Sequence, residues 1–197
     1  MSFDYLQHAR DADTRVDAFY LALKNYHFAH RMWTYASDDR MRFAFEDDIL
    51  AGDSMPFKRM RADQFDDLEE RRITAEQIAG NQFGLCFIAM FDFLEARFGD
   101  GAVPKSVPPQ LNDISILISA VRNAFSHKIG TPVWNVKDPN LRRELNVEFA
   151  RIDLGKLHGQ PVHPDQLGGA LSVERVWNGL NESLNRHRES VADAGST

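Results

Sequence analysis

Three residues near the middle of the chain have the types and spacing that chemistry requires: Arg122, Asn123 and His127. In a helix, Asn123 and His127 lie one turn apart on the same face, where the amide can hydrogen-bond the imidazole and fix its orientation. Arg122 lies about 140° around the helix axis from His127. Histidine exchanges protons near neutral pH, and arginine stabilises negative charge on a phosphate. Together these side chains could cleave RNA without a metal ion.

The same residues also have an ordinary structural interpretation. A cation near the C-terminus of a helix interacts favourably with the last carbonyl groups, so His127 could cap the helix while Arg122 pairs with a carboxylate. Arginine and histidine at this separation occur by chance in many proteins. The spacing alone therefore favours a structural role over catalysis.

The charge of the chain limits what it can bind. A formal net charge of -6 argues against broad, non-specific coating of nucleic acid, which depends on many lysines and arginines. Acidic residues crowd positions 38–67, whereas basic residues surround the motif: Arg122, Lys128, Lys137, Arg142 and Arg143. An anionic ligand should therefore prefer the second half of the chain, where Lys128 is a candidate substrate-binding residue.

Other histidines and the single cysteine give no signal for a second site. His27 and His30 could share a helix face, but no third ligand stands at a fixed spacing, so we predict no metal site there. His30 could instead lie near the motif helix. His158 and His163 fall in a stretch rich in glycine and proline and are predicted to be loop residues. Cys86 lies in an apolar segment and is predicted to be a buried thiol. No nucleotide-binding glycine motif is present, and we expect no cofactor.

Hydrophobic periodicity predicts a mainly α-helical chain. Thr74 and Gln77 form a capping box that predicts the start of a central helix, apolar on nearly every side. Runs typical of β-strands at Val133–Val136 and Val147–Leu154 predict a small hairpin before the last helix. The predicted helices span approximately residues 13–33, 41–49, 74–98, 112 or 113 to 127, and 171–184.

The whole chain is typical of a globular protein. Its 43% hydrophobic and 26% charged residues are enough to bury a core, and no linker separates two patterned halves. We interpret residues 1–191 as one domain and 192–197 as a flexible tail. No stretch reaches roughly 18 consecutive apolar residues, and no signal segment is evident, so we predict a cytoplasmic protein without membrane contact. Trp134 and Trp177 could stack bases, but such residues more often fill a core or a dimer seam.

The segment from Val121 to His127, read V-R-N-A-F-S-H, resembles the R-x4-6-H signature of the HEPN superfamily. It shares the frequent asparagine after the arginine and the position late in a long helix. The later chain is similar to some bacterial HEPN-like proteins in three short elements: Pro132–Trp134, Leu157–Gly159 and the pair Gly168–Gly169. The resemblance extends from about Thr74 onward.

This resemblance implies a HEPN-like bundle of four to five helices and a metal-independent endoribonuclease of a toxin or defence system. In that family, arginine and histidine from two subunits meet at a homodimer interface. The RNA 2′-hydroxyl would attack the adjacent phosphate, His127 would transfer protons, Arg122 would stabilise phosphate charge, and a cyclic phosphate end would result. Asn123 completes the catalytic set, and RNA and an antitoxin protein are the implied partners. Ser126 and the acidic balance depart from the family pattern.

Two other functions remain as alternatives. Many HEPN proteins are non-enzymatic interaction or scaffolding modules, and in such a protein the motif residues would serve helix capping and dimer packing. A small-molecule sensor with a pocket between the bundle and the hairpin is a third hypothesis, for which the sequence shows no ligand-specific set of polar residues.

Overall fold

A computed structural model describes residues 12–38, 67–99, 108–127 and 130–194 of the chain. These residues form five α-helices and one two-stranded antiparallel hairpin. The predicted fold class, mainly helical with a small hairpin before the last helix, is confirmed. The elements are α1 (Ala12–Ala36), α2 (Leu68–Phe98), α3 (Pro109–His127), β1 (Glu144–Val147), β2 (Ala150–Asp153), the short α4 (Leu154–Leu157) and α5 (Ser172–Ala194).

Helix α2 is the centre of the fold and packs against both α1 and α3. Phe83, Phe87 and Met90 are fully buried along it. The prediction that this helix starts at Thr74 is wrong, because Asp67 caps it earlier: the Asp67 carboxylate accepts a hydrogen bond from the Glu70 backbone N–H at 2.9 Å. Acidic residues in the first turn add a favourable interaction with the helix dipole.

Helix α3 carries the motif and is buried on most of its surface. The predicted apolar stripe is buried as expected: Ile114, Leu117, Ile118, Val121 and Phe125. The helix ends at His127 as predicted but starts at Pro109 rather than at residue 112 or 113. A proline is well tolerated in the first turn, where its missing N–H has no helical partner to lose.

The hairpin is formed within residues 144–153 alone. Its register pairs Glu144 with Asp153 and Val147 with Ala150. The prediction that Val133–Val136 forms a strand of this hairpin is wrong. That segment instead pairs with the later connector, through an isolated bridge between Val133 and Pro161 and a hydrogen bond from the Trp134 N–H to the Gln160 carbonyl at 2.9 Å.

A buried carboxylate fixes the hairpin against α3. Asp113 is 7% exposed and accepts hydrogen bonds from Arg143 Nη2 at 2.6 Å and from the Asn146 backbone N–H at 2.8 Å. Because a buried carboxylate needs such partners, the start of α3 and the first strand hold each other in place.

The connector after the hairpin is irregular but closely bonded. Trp134 is fully buried, and its indole N–H donates to Gln166 Oε1 at 2.8 Å. Gly168 and Gly169 have φ values of 94° and 85°, a conformation that favours glycine. Trp177 of α5 stacks on Phe19 of α1 with ring centroids 4.1 Å apart. Both tryptophans thus fill the core.

Some predictions concern residues outside those described. The predicted helix at 41–49 and Lys128 lie there, as do residues 195–197. Helix α5 includes residues 192–194, which the sequence assigns to the tail. In the described part of the chain, no helix has the length and apolar character needed to cross a membrane.

Candidate functional site

The structure brings two of the motif residues into direct contact. Arg122 Nη1 donates a hydrogen bond to Asn123 Oδ1 at 3.0 Å, and both side chains are half-buried on α3. The bond orients the amide oxygen towards the guanidinium. Asn123 is therefore engaged by Arg122, whereas the sequence predicts that it engages His127.

The Arg122 guanidinium rests on α2. Its central carbon lies 4.7 Å from the ring centroid of Phe91, within range of a cation–π interaction. The Arg122 Nε is buried and has no hydrogen-bond partner. A buried donor without an acceptor is uncommon in proteins and costs about 1 to 3 kcal/mol. Arg122 is thus held in place by a ring and an amide while one of its donors stays unused.

Asp92 gives this surface an acidic neighbour. Burial raises the pKa of the Asp92 carboxyl, while the positive charges of Arg15 and Arg122 oppose that shift. The opposing effect of Arg122 places its charge close enough to Asp92 to be felt. Any anion that approaches Arg122 therefore meets a carboxylate on the α2 side.

Asn123 lines a groove of about 290 Å³ with both polar and apolar walls. One wall is the face of α3 that includes Ser119, and the other is the segment from Asn135 to Asp138. Lys137 in this groove is exposed and makes no hydrogen bond or ion pair within the described part of the chain. Asp138 Oδ1 already accepts two hydrogen bonds from Asn140, at 2.9 and 3.0 Å. The groove thus combines an amide, an ammonium group and a carboxylate that already accepts hydrogen bonds from Asn140.

The other two predicted site residues remain predictions. The backbone of α3 is helical through His127, which puts this residue one turn beyond Asn123. The His127 side chain and Lys128 lie outside the described residues. The described structure therefore brings together Arg122 and Asn123, and the groove adds Lys137, which the sequence identifies only as part of a basic cluster.

The histidines of α1 belong to two separate interactions. His27 Nε2 lies 2.6 Å from Glu174 Oε1, which links α1 to α5. His30 Nε2 lies 3.0 Å from the hydroxyl of Tyr26, and that hydroxyl donates to the Ala170 carbonyl at 3.0 Å. Across the described ranges, no three acidic, histidine or cysteine side chains cluster in a way that could hold a metal ion.

The tautomer of His30 follows from these bonds. Burial raises the pKa of Tyr26, so this residue keeps its single hydroxyl proton, and that proton goes to the Ala170 carbonyl. The tyrosine oxygen must then accept from His30, which puts the proton of a neutral His30 on Nε2 and leaves Nδ1 as an acceptor. Burial, followed by the charge of His27, lowers the pKa of His30 and favours this neutral form.

A second cavity, of about 460 Å³, lies on the other side of α3. His30 and Trp33 of α1, Phe125 of α3 and segments near residues 76 and 163 all contribute to its lining. The prediction that His30 could lie near the motif helix agrees with this placement. Sequence reasoning missed the cavity itself, and the only signal was that His30 and Trp33 continue the apolar stripe of α1.

The remaining sequence candidates have structural roles. Cys86 is fully buried, and burial raises its pKa to about 12, so it stays a thiol. His158 Nδ1 accepts a hydrogen bond from the Val136 N–H at 3.2 Å. His163 caps the 3-10 turn Pro164–Leu167.

A scan against protein-family models and searches of the curated proteins and the solved structures found no match for this chain.

Proposed function

We propose that this protein is a metal-independent endoribonuclease of HEPN type, with a site at a homodimer interface. Arg122, Asn123 and His127 are its catalytic residues, and Lys128 binds the substrate. The observation that carries the proposal is the position of Arg122. Phe91 and Asn123 position its guanidinium, and its Nε donor is unused. It lies on the same helix as His127, which is in the last turn.

The chemistry of such a site is transesterification. The RNA 2′-oxygen attacks the adjacent phosphorus, and the bond from phosphorus to the 5′-oxygen breaks, which leaves a 2′,3′-cyclic phosphate and a 5′-hydroxyl. His127 transfers the protons of attack and departure. Arg122 stabilises the charge that grows on the phosphate oxygens, for which planar guanidinium donors are well suited. Asn123 holds the guanidinium in position through the bond to its amide oxygen.

Cleavage of RNA in the presence of EDTA tests this proposal. Purified wild-type protein should convert a mixed RNA into fragments with cyclic phosphate ends between pH 6 and 8. His127→Ala should abolish the cleavage, and the neighbouring exposed Ser126→Ala should not. Intact RNA at high protein concentration, or equal cleavage by His127→Ala, would contradict the proposal. Growth arrest upon expression, lost in the same variant, would support a toxin that an antitoxin protein restrains.

A second candidate function is a non-enzymatic interaction module that uses the same helices. The favouring observation is that Arg122 already contacts Phe91 and Asn123 within its own chain, as a purely structural arginine would. In that case Arg122→Ala should lower the melting temperature or dissociate an oligomer. Thermal unfolding measures the first effect, and sedimentation measures the second. A stable, correctly assembled Arg122→Ala protein would count against this function.

A further inference from the structure

The cavity that contains His30 is separate from the motif groove. Phe125 lines this cavity, and Asn123 lines the groove. Asn123 and Phe125 are two positions apart on α3, which puts their side chains about 160° apart around the helix axis. At about 460 Å³, the cavity lies within the volume range of small-molecule sites. Five separate parts of the chain meet there: α1, α2, the end of α3, the segment at residues 130–132 and the connector at residues 162–170.

Aromatic rings lie along one side of this cavity, and the lining rings that are partly exposed are those of His30 and Trp33. The rings of His30 and Trp33 are 5.7 Å apart in an edge-to-face arrangement, and those of Phe83 and Phe125 are 6.0 Å apart. Tyr26 connects the two pairs, at 4.7 Å from His30 and 6.0 Å from Phe83. The Trp33 N–H is buried without a partner, so this residue offers the cavity its ring rather than its donor.

The charged groups that the structure describes in the lining of this cavity are acidic. Glu76 and Asp165 line it, and both are exposed at its rim. His163 Nδ1 lies 3.3 Å from Asp165 Oδ2 and also accepts a hydrogen bond from the Asp165 backbone N–H at 3.3 Å. Among the described residues that line the cavity there is no lysine or arginine. His30 adds no positive charge near neutral pH, because burial lowers its pKa.

Aromatic faces and carboxylates together favour cations. A ring presents its negative face to an ammonium group, and a nearby carboxylate adds a direct attraction. The same charges disfavour phosphate or carboxylate ligands. We propose that this cavity binds a small organic cation, an amine whose ammonium group faces Glu76 and whose apolar body packs against Trp33 and the exposed Ile73. This binding site does not depend on the ribonuclease activity.

Three probes of similar size and different charge test the proposal: phenethylamine, phenethyl alcohol and phenylacetate. Ligand-observed NMR and calorimetry with the full-length protein at pH 7.5 should show binding in the order amine, alcohol, acid. The amine should bind at least about tenfold more tightly than the acid. Absence of amine binding at millimolar concentration, or equal binding of amine and acid, would overturn the proposal.

A matched pair of variants locates the amine. Glu76→Gln removes the carboxylate at the rim, and we expect about fivefold weaker amine binding with no change for the alcohol, because only the amine carries the charge. Glu182→Gln is the control, since Glu182 is exposed on α5 and does not line the cavity. Both residues are on the surface, so folding should be unaffected. Equal amine affinity in wild type and Glu76→Gln would contradict this placement.

Discussion

The two sides of α3 face different kinds of side chain. On one side, Asn123 faces a groove with the exposed Lys137, and the neighbouring Arg122 rests on Phe91. On the other side, Phe125 faces an aromatic cavity whose charged rim groups include Glu76. One side thus presents an amide with both positive and negative groups, Lys137 and Asp138 among them, whereas the other presents rings and carboxylates. A single helix separates a surface of mixed charge from one whose described charged groups are acidic.

The comparison shows why only one of these surfaces could be predicted from the sequence. Arg122, Asn123 and His127 stand in one short run, so their types and spacing suggest chemistry directly. The aromatic cavity combines His30, Phe83 and a connector beyond residue 160, which no local pattern links. A site formed by long-range packing becomes visible only when the chain is folded.

The Phe125 side depends on close packing, and Gly84 of α2 is where that packing is most easily broken. A Cβ atom at Gly84 would overlap the Phe125 ring, whereas one at Gly80 would meet nothing within 4 Å. We expect Gly84→Ala to lower the free energy of unfolding by about 3 kcal/mol, since the ring must move in a packed core.

The matched control lies one turn earlier on the same helix. Gly80→Ala should raise the free energy of unfolding by up to about 1 kcal/mol, because alanine is the better helix former. Urea denaturation of both variants checks this prediction. Equal stabilities for the two variants would show that Phe125 does not pack against α2 as described.

The contact between α3 and the hairpin depends on polar bonds, and Asp113 is its clearest test. Asp113→Ala removes one of the acceptors of Arg143 and the acceptor of the Asn146 N–H, and we expect a loss of about 1 to 2 kcal/mol in unfolding free energy. Glu69→Ala, which removes an exposed pair with Arg72, should cost at most about 0.5 kcal/mol. If urea denaturation shows the same loss of stability for both variants, Asp113 does not hold the hairpin against α3 as described.

The smallest expected effect concerns His30 and pH. Its pKa is lowered in the folded protein from 6.5, by burial first and then by His27, against the opposing charge of Glu174. The unfolded chain therefore takes up the proton more readily, and the contribution of neutral His30 is complete above pH 6.5 and lost as the pH falls through the folded pKa. The stability of wild type relative to His30→Gln should decrease from pH 7.5 to 5. Urea denaturation of both proteins at each pH measures this difference in unfolding free energy. A difference that does not change with pH would contradict the buried neutral form.

Much of the fold follows from local signals in the sequence. The apolar stripe of α3 and the ends of α2 and α3 at Phe98 and His127 are visible as periodicity and helix stops. Helix starts were harder, because the capping box at Thr74 competes with an equally good cap at Asp67. Val133–Val136 has strand composition, but its partner lies near Pro161, and composition does not say which segment a strand will pair with.

The most direct test of the central claim is the rate of RNA cleavage by Arg122→Ala in EDTA, with thermal unfolding of the same samples. We predict that the rate falls about 100-fold or more, because the variant loses the group that stabilises phosphate charge. Its melting temperature should fall by roughly 4 °C or less, since the contact with Phe91 and the part-buried hydrogen bond to Asn123 are lost, but the buried, unpaired Nε is removed as well. Arg151→Ala, an exposed arginine on β2, should leave both unchanged. An Arg122→Ala protein that cleaves RNA as fast as wild type would contradict the account.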